Sequence, residues 1–484
     1  MKTKILTLLI AFALVFSSCE SILDINPISE ISNSNYWKGE NDVKGYVTGM
    51  YNDYRSLTNT TLYGEDRGDA LTTGAVGAVS EAWSNKMTAA TNKFTWIQFY
   101  ELIHHCNMVL KYAPDIEFRV ENDKNRLLAQ TYYFRAKAYM TLLQMWGDVP
   151  IVTEPTESYD QERPARKPAS EVMEFILSDI NTSIGLFPEA TILNKNLISK
   201  PAAYCLKAEA LAWKYKVLRS NNQQDLRDAI SALDEAEKSG VSLVGDYAKI
   251  FAADNKKNSE IIFSLYLEKD EYAAMYMRQL SPNLIYVETA DNKEDLPYSK
   301  GYAKHDYAPS NELIAALNVY PNDKRKPVAY INAMKGSSVI LVSQNKFRGR
   351  IVDEDRLFDD DIIISRLGDV ILLKAELYAD LGGAEVSKAI AELERVRIRA
   401  GIGAYTGATD QLSVQKEILE ERGRELCFEL KRWPDLMRAH HANIIDIYNY
   451  VPNLTGQAKK TPLYLPIDQT LINVNPNLKQ TAGY

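Results

Sequence analysis

The thiol with the most clearly defined chemistry in this sequence is Cys19. Lys2 and Lys4 give a positive start, Ile5 to Phe16 a mostly apolar run, and Ser17 and Ser18 lead into the cysteine. An apolar run of that length suits a signal-peptide core and falls short of the ~20 residues that span a bilayer. Small residues directly before a cysteine are what lipoprotein processing requires: the thiol is acylated and the chain is cut before it. Residues 1–18 are therefore read as a lipoprotein signal peptide and Cys19 as the lipidation site. Each buried acyl CH₂ contributes ~0.8 kcal/mol, so two or more chains hold the protein on a membrane stably. Residues 19–35, with Pro27 and several Ser and Asn, read as a lipid-anchored tether.

The other reactive groups point to structure. Cys106, Cys205 and Cys427 are too scattered for a disulfide framework and read as buried free thiols. His104 and His105, like His440 and His441, are adjacent, whereas two ligands on one helical face need i, i+4 spacing. No metal site and no cofactor are expected. Glu421, Arg422, Arg424, Glu425 and Glu429 could suggest acid–base catalysis. Opposite charges at i, i+3 and i+4 more simply form an ion-pair ladder that orders helices. No stretch singles out the facing carboxylate pair of a glycan hydrolase, so the chain is read as a non-enzyme. A net charge of −8 argues against nucleic acid as a partner.

These residues need a scaffold, and the periodicity supplies one. Apolar content of 46% and charged content of 25% are those of a globular protein. Leu128, Tyr132, Ala136, Tyr139, Leu143 and Trp146 recur every three or four residues, as on one helical face. Helices are expected over 36–57, 92–114, 124–146, 170–186, from 199, 224–239, 365–381, 384–400 and 412–432. Successive pairs joined by loops read as tetratricopeptide-like hairpins, without a clean 34-residue repeat. Two stretches break the pattern. Residues 58–91 form a long Gly-rich loop ending near Trp83, and 247–364 form an irregular region with a short strand over 261–267. Long loops in compact domains are often functional.

An ordered set of motifs then stands out. Phe134-Arg135-Ala136-Lys137-Ala138-Tyr139 and Trp146-Gly147-Asp148-Val149-Pro150 lie in the first half. Arg366-Leu367-Gly368-Asp369, Val396-Arg397-Ile398-Arg399-Ala400-Gly401 and Glu420-Glu421-Arg422-Gly423-Arg424-Glu425 follow. Arg432-Trp433, Leu465-Pro466-Ile467-Asp468 and Asn475-Pro476-Asn477-Leu478 close the series. Together these resemble the SusD/RagB family of nutrient-binding lipoproteins of Bacteroidetes, over essentially the whole mature chain. The resemblance implies a mainly α fold of about four degenerate tetratricopeptide-like units supporting an irregular ligand-binding part. It divides the chain into an N-terminal part, 36–245, and a C-terminal part, 246–484, within one compact unit. It also implies attachment to the outer membrane facing the cell exterior, and a SusC-like TonB-dependent transporter as partner, with this protein as its lid. The tether is then a candidate hinge. Most of the family captures oligosaccharides; the alternative is a peptide-binding subunit of the same kind of complex. Three positions depart from the family pattern. Pro434 interrupts the Arg-Trp-x-Asp-Leu stretch and is expected to shorten its helix; Leu430 replaces a frequent Gly, and Asp468 a second proline.

A sugar presents a C–H-rich face and a hydroxyl rim, so its site needs flat aromatics beside polar groups. In the family, the long loop commonly supplies such contacts. The expected ligand-binding residues are Trp83 first, then Asp66, Arg67, Asp69 and Trp96, with Tyr298, Tyr302 and Tyr307 from the second irregular stretch. Trp37, Trp146, Trp213 and Trp433 fall at core spacing and read as packing residues.

Overall fold

The computed structural model describes residues 36–90, 94–158, 161, 163–269, 275–457 and 460–484. The expected signal peptide, the expected lipidation site Cys19 and the expected tether lie outside these residues.

Helices carry the structure. In chain order they are α1 (Glu40–Thr58), α2 (Ile97–Tyr112), α3 (Glu121–Trp146), α4 (Ala169–Leu186), α5 (Lys200–Lys216) and α6 (Gln223–Glu237). After an irregular region holding α7 (Asn311–Asn318) come α8 (Leu367–Leu381), α9 (Val386–Ala400), α10 (Gln411–Leu426) and α11 (Arg432–His441). Sequential pairs pack together: α1 on α2, α3 on α4, α5 on α6, α8 on α9. Contacts of α6 with α8 join the halves, and one principal apolar core runs from Val43 to Leu478.

Local chemistry explains the boundaries. Ser199 accepts a hydrogen bond from the Ala202 amide and Pro201 sits in the first turn of α5, where a missing N–H costs nothing. Ala202, Ala203, Ala208, Ala210 and Ala212 of that helix are fully buried, so its neighbours approach closely. Gly401, at φ +80°, ends α9 in the left-handed conformation that only glycine adopts freely.

The helix expected over 412–432 ends at Leu426, and a separate helix, α11, begins at Arg432. The break comes from Phe428 and Leu430, at φ +64° and +61°, and Pro434 lies harmlessly in the first turn of α11. Leu430 thus holds the left-handed backbone of a position where the family often has glycine. Asp468, replacing a proline, caps a short helix by accepting from the Thr470 amide.

The strands are short antiparallel pairs: β1 (Leu71–Thr73) with β3 (Tyr307–Pro309), and β2 (Ile261–Leu265) with β8 (Ile362–Arg366). Likewise β4 (Tyr330–Lys335) pairs with β5 (Ser338–Gln344), and β6 (Arg350–Val352) with β7 (Asp355–Leu357).

The expected ladder on α10 is instead a buried network between elements. Arg366 donates to Glu260, Glu425 and Glu429, each at 2.7 Å. Arg399 meets Glu260 and Glu425, and Arg325 meets Asp323, Glu421 and Glu425. Only Arg424 with Glu421 keeps the i, i+3 form among these. Burial alone would raise the Glu425 carboxyl, but Arg399, Arg366 and Arg325 hold it well below the usual range. Removing one member of such a pair typically costs about 3–5 kcal/mol, because a buried charge is left alone. These carboxylates act as struts.

Candidate ligand-binding face

The loop between α1 and α2 is fixed from its first turn. The Thr61 carbonyl accepts from the Gly64, Glu65 and Asp66 amides. Gly64 sits flush on the turn before α11: a Cβ there would lie 2.3 Å from the Leu430 oxygen. Glu65 accepts from the Leu430 amide, and the Trp433 amide donates to the Gly64 carbonyl at 2.8 Å.

β1 then pairs with β3, Leu71 opposite Pro309, which brings the two irregular stretches together. Gly74 continues the contact by donating to the Asp306 carbonyl; a Cβ there would lie 2.1 Å from the His305 oxygen. His305 accepts from the Ala75 amide at Nδ1, and burial pushes its imidazole down to about 4. Ala75 to Ala78 form an exposed tip. Ser80 returns the chain to the body: its amide donates to the Tyr307 hydroxyl and its Oγ to Asp66. It also caps the short helix Glu81–Ser84 that carries Trp83.

Five expected ligand residues are buried, Trp96 among them, and four of these, Asp66, Arg67, Asp69 and Tyr307, are fastened inside the protein by polar bonds. Asp66 accepts from Ser80 and Tyr307, and burial raises its carboxyl. Arg67 is 1% exposed, donating to Asn85 and to the Pro462 and Leu463 carbonyls. Burial lowers its guanidinium to about 10. Asp69 forms a two-pronged pair with Arg432, at 2.6 and 2.8 Å. Tyr307 is buried with its hydroxyl between Ser80 and Asp66. The expectation that these four present themselves to a ligand is corrected: charged loop residues read as a wet rim are the loop's internal fastening.

The aromatics divide differently. Trp83 is half-buried, with its indole N–H on the Leu71 carbonyl at 2.9 Å. Tyr302 is 44% exposed, and the Arg278 guanidinium stands 5.8 Å from its ring centre. Tyr298 is half-buried over a small core with Val287, Leu296 and Ala333. Trp96 is 5% exposed and packs edge-on to Tyr100 and Trp146. It also helps line a groove of about 380 Å³ with Tyr100, Pro150, Val152, Arg163 and Leu471. The groove was not foreseen from sequence, although Trp96 and Tyr100 at i, i+4 would share a helix face.

The three described cysteines are free: Cys106 and Cys427 are buried and Cys205 half-buried, and burial raises all three thiols, Cys205 to about 12. Among the described residues no helix is long and apolar enough to cross a membrane.

Two family models match this chain. One, described as the SusD family, matches residues 259–484; the other, described as starch-binding associating with outer membrane, matches residues 22–210. The chain belongs to the SusD/RagB family. SusD-like protein P38 of Formosa agariphila is 26% identical over 524 residues, covering 99% of this chain and 98% of that one. Among solved structures, B. fragilis NanU superposes with a TM-score of 0.81 at 28% identity, covering 95% of this chain and all of NanU. Surface glycan-binding protein A from Bacteroides uniformis shares the fold, with a TM-score of 0.73 at 20% identity over 91% of this chain and 99% of that one. The mainly α SusD fold is thus the fold of this protein. The match over 22–210 includes the whole loop that bears Trp83.

Proposed function

We propose that this protein is a glycan-binding lipoprotein of the outer membrane surface. It captures oligosaccharides and hands them to a SusC-like TonB-dependent transporter, over which it acts as a lid. The observation that carries this reading is family membership, with a starch-binding, outer-membrane description matched across the loop region. The geometry adds support. Trp83 and Tyr302 sit on two stretches that β1 and β3 hold side by side, on a base made rigid by Asp66, Arg67, Asp69 and Tyr307.

Acylated Cys19 anchors the chain. A few aromatic contacts, each worth about 0.5–1.5 kcal/mol beyond burial, give only weak affinity. Tethering beside a transporter makes weak affinity sufficient, because local concentration replaces it. The test is Cys19→Ala. Glycan binding by the purified protein should be unchanged, while uptake by cells should fall. Undiminished uptake with the protein released would contradict the tethered lid.

A further inference from the structure

A second concavity lies away from Trp83. It measures about 490 Å³ and is lined by Lys249, Phe251, Pro327, Asn345, Arg348 and Arg350, with buried Lys346 behind them. Its charges are unevenly paired. Lys346 is neutralised by Glu429 at 2.6 Å, and Arg350 by Asp359 and Glu268. Arg348 is different. It is half-buried and makes no carboxylate pair among the described residues; its guanidinium donates to the Asn345 side chain and the Asp295 backbone carbonyl. Burial lowers its guanidinium from the usual value. Lys249 is exposed on the rim and has no ion-pair partner among the described residues.

A second arginine stands directly behind. Arg356 donates to the Arg348 carbonyl at 2.6 Å and to the Tyr298 carbonyl, again with no carboxylate pair among the described residues. Two half-buried guanidinium groups therefore sit near one another and donate only to neutral acceptors, with the Asp295, Asp355 and Asp360 charges nearby but not paired to them. Arginine in such a place is poised for a planar oxyanion, which it binds through two parallel N–H bonds. The only acid among the lining residues is exposed Asp254, outnumbered by the cations. The site also offers the exposed Pro327 ring and the Asn345 amide, surfaces that suit a sugar ring and its hydroxyls, while Phe251 lies buried beneath as part of the core.

We infer that this groove binds an acidic saccharide, its carboxylate or sulfate held by Arg348 and Lys249 and its ring laid toward Pro327 and Asn345. The inference rests on the proposed glycan-binding role and adds a second subsite with a charge preference.

The experiment is calorimetric titration of the chain from residue 20 with four probes: an oligogalacturonate, a sulfated galactan oligosaccharide, the neutral galactan oligosaccharide of equal length, and sodium sulfate. Arg348→Gln and Lys249→Ala are compared with wild type. Lys249 is exposed, so its variant does not threaten folding. At least one acidic oligosaccharide should bind about tenfold or more tightly than the neutral one, and more weakly as salt rises. Both variants should lose that preference while keeping whatever binding the neutral probe shows. Equal binding of acidic and neutral probes, or an acidic preference unchanged in both variants, would overturn the inference and leave the glycan-binding role standing. Sulfate competing as strongly, mole for mole, as the acidic oligosaccharides would overturn the saccharide assignment. A broader failure, with no saccharide of any charge bound, would sink the glycan-binding role itself.

Discussion

The Arg67 guanidinium lies 4.3 Å from the centre of the Trp433 ring and donates to the Pro462 and Leu463 carbonyls. One side chain of the long loop thus grips α11 and the C-terminal tail together. Arg67→Met keeps most of the volume but leaves both carbonyls without their charged donors. Bonds to charged groups are worth about 1.5–3 kcal/mol each, so losing both should lower the unfolding free energy by roughly 3–6 kcal/mol in urea titration. Arg67→Lys should not restore it, because an ammonium cannot reproduce the planar fork. Full rescue by lysine would show that charge alone matters.

Gly64 tests the fit of the same loop against the turn at Leu430. A Cβ would lie 2.3 Å from the Leu430 oxygen and 2.5 Å from its carbonyl carbon, and backbone cannot swing aside as a flexible side chain can. Gly64→Ala should destabilise by about 1–3 kcal/mol, the usual cost of overpacking. Gly77 is the control: its surroundings are open but its φ is +67°, so Gly77→Ala should cost only about 1–2 kcal/mol of backbone strain. Measured melting curves should rank Gly64→Ala at or below Gly77→Ala.

Glu65 gives a pH signature. Burial, the largest influence, raises its carboxyl to about 8, with Oε1 on the Leu430 amide and Oε2 without a partner. The native state therefore keeps a proton that the unfolded chain releases near pH 4.3. Its contribution to stability is fully present below that value and is lost as pH rises toward 8, by up to about 1.4 kcal/mol per pH unit. Glu65→Gln stays neutral and removes the slope. Denaturation at pH 5 and pH 8 should show the variant gaining on wild type at the higher pH. A constant difference would mean that Glu65 is ionised throughout.

Tyr302 separates binding from folding better than Trp83 does. Its ring is 44% exposed, so Tyr302→Ala should change stability by no more than about 0.5 kcal/mol. If the ring meets glycan, affinity should fall by roughly threefold to tenfold, the equivalent of one aromatic contact. Trp83→Ala should weaken binding more, but it also removes the bond to the Leu71 carbonyl and lowers the melting temperature. Trp83→Phe keeps a ring without the N–H donor and should retain more of the binding than alanine. An affinity untouched by any of these changes would move the site elsewhere.

Much of this was legible in the sequence. Helix periodicity located α3, α4, α8 and α9 to within three residues, since the apolar stripe of a packed helix repeats in its sequence. The β1–β3 pairing joins residues more than 230 apart, and no local pattern records that. Asp66, Arg67 and Asp69 looked like surface groups because charge usually means solvent. Their partners, Tyr307, Leu463 and Arg432, lie hundreds of residues away, so composition could not reveal that they are paired inside. The split between α10 and α11 turned on the backbone of Phe428 and Leu430, residues that seldom adopt positive φ.

The most direct test is a binding screen of the chain from residue 20 against plant, host and microbial oligosaccharides and against peptide mixtures, by calorimetry. Saturable binding of at least one oligosaccharide is predicted, in the micromolar to millimolar range, weakened in Tyr302→Ala and Trp83→Ala, with no release of reducing sugar. Saturable peptide binding with no response to any oligosaccharide would contradict it.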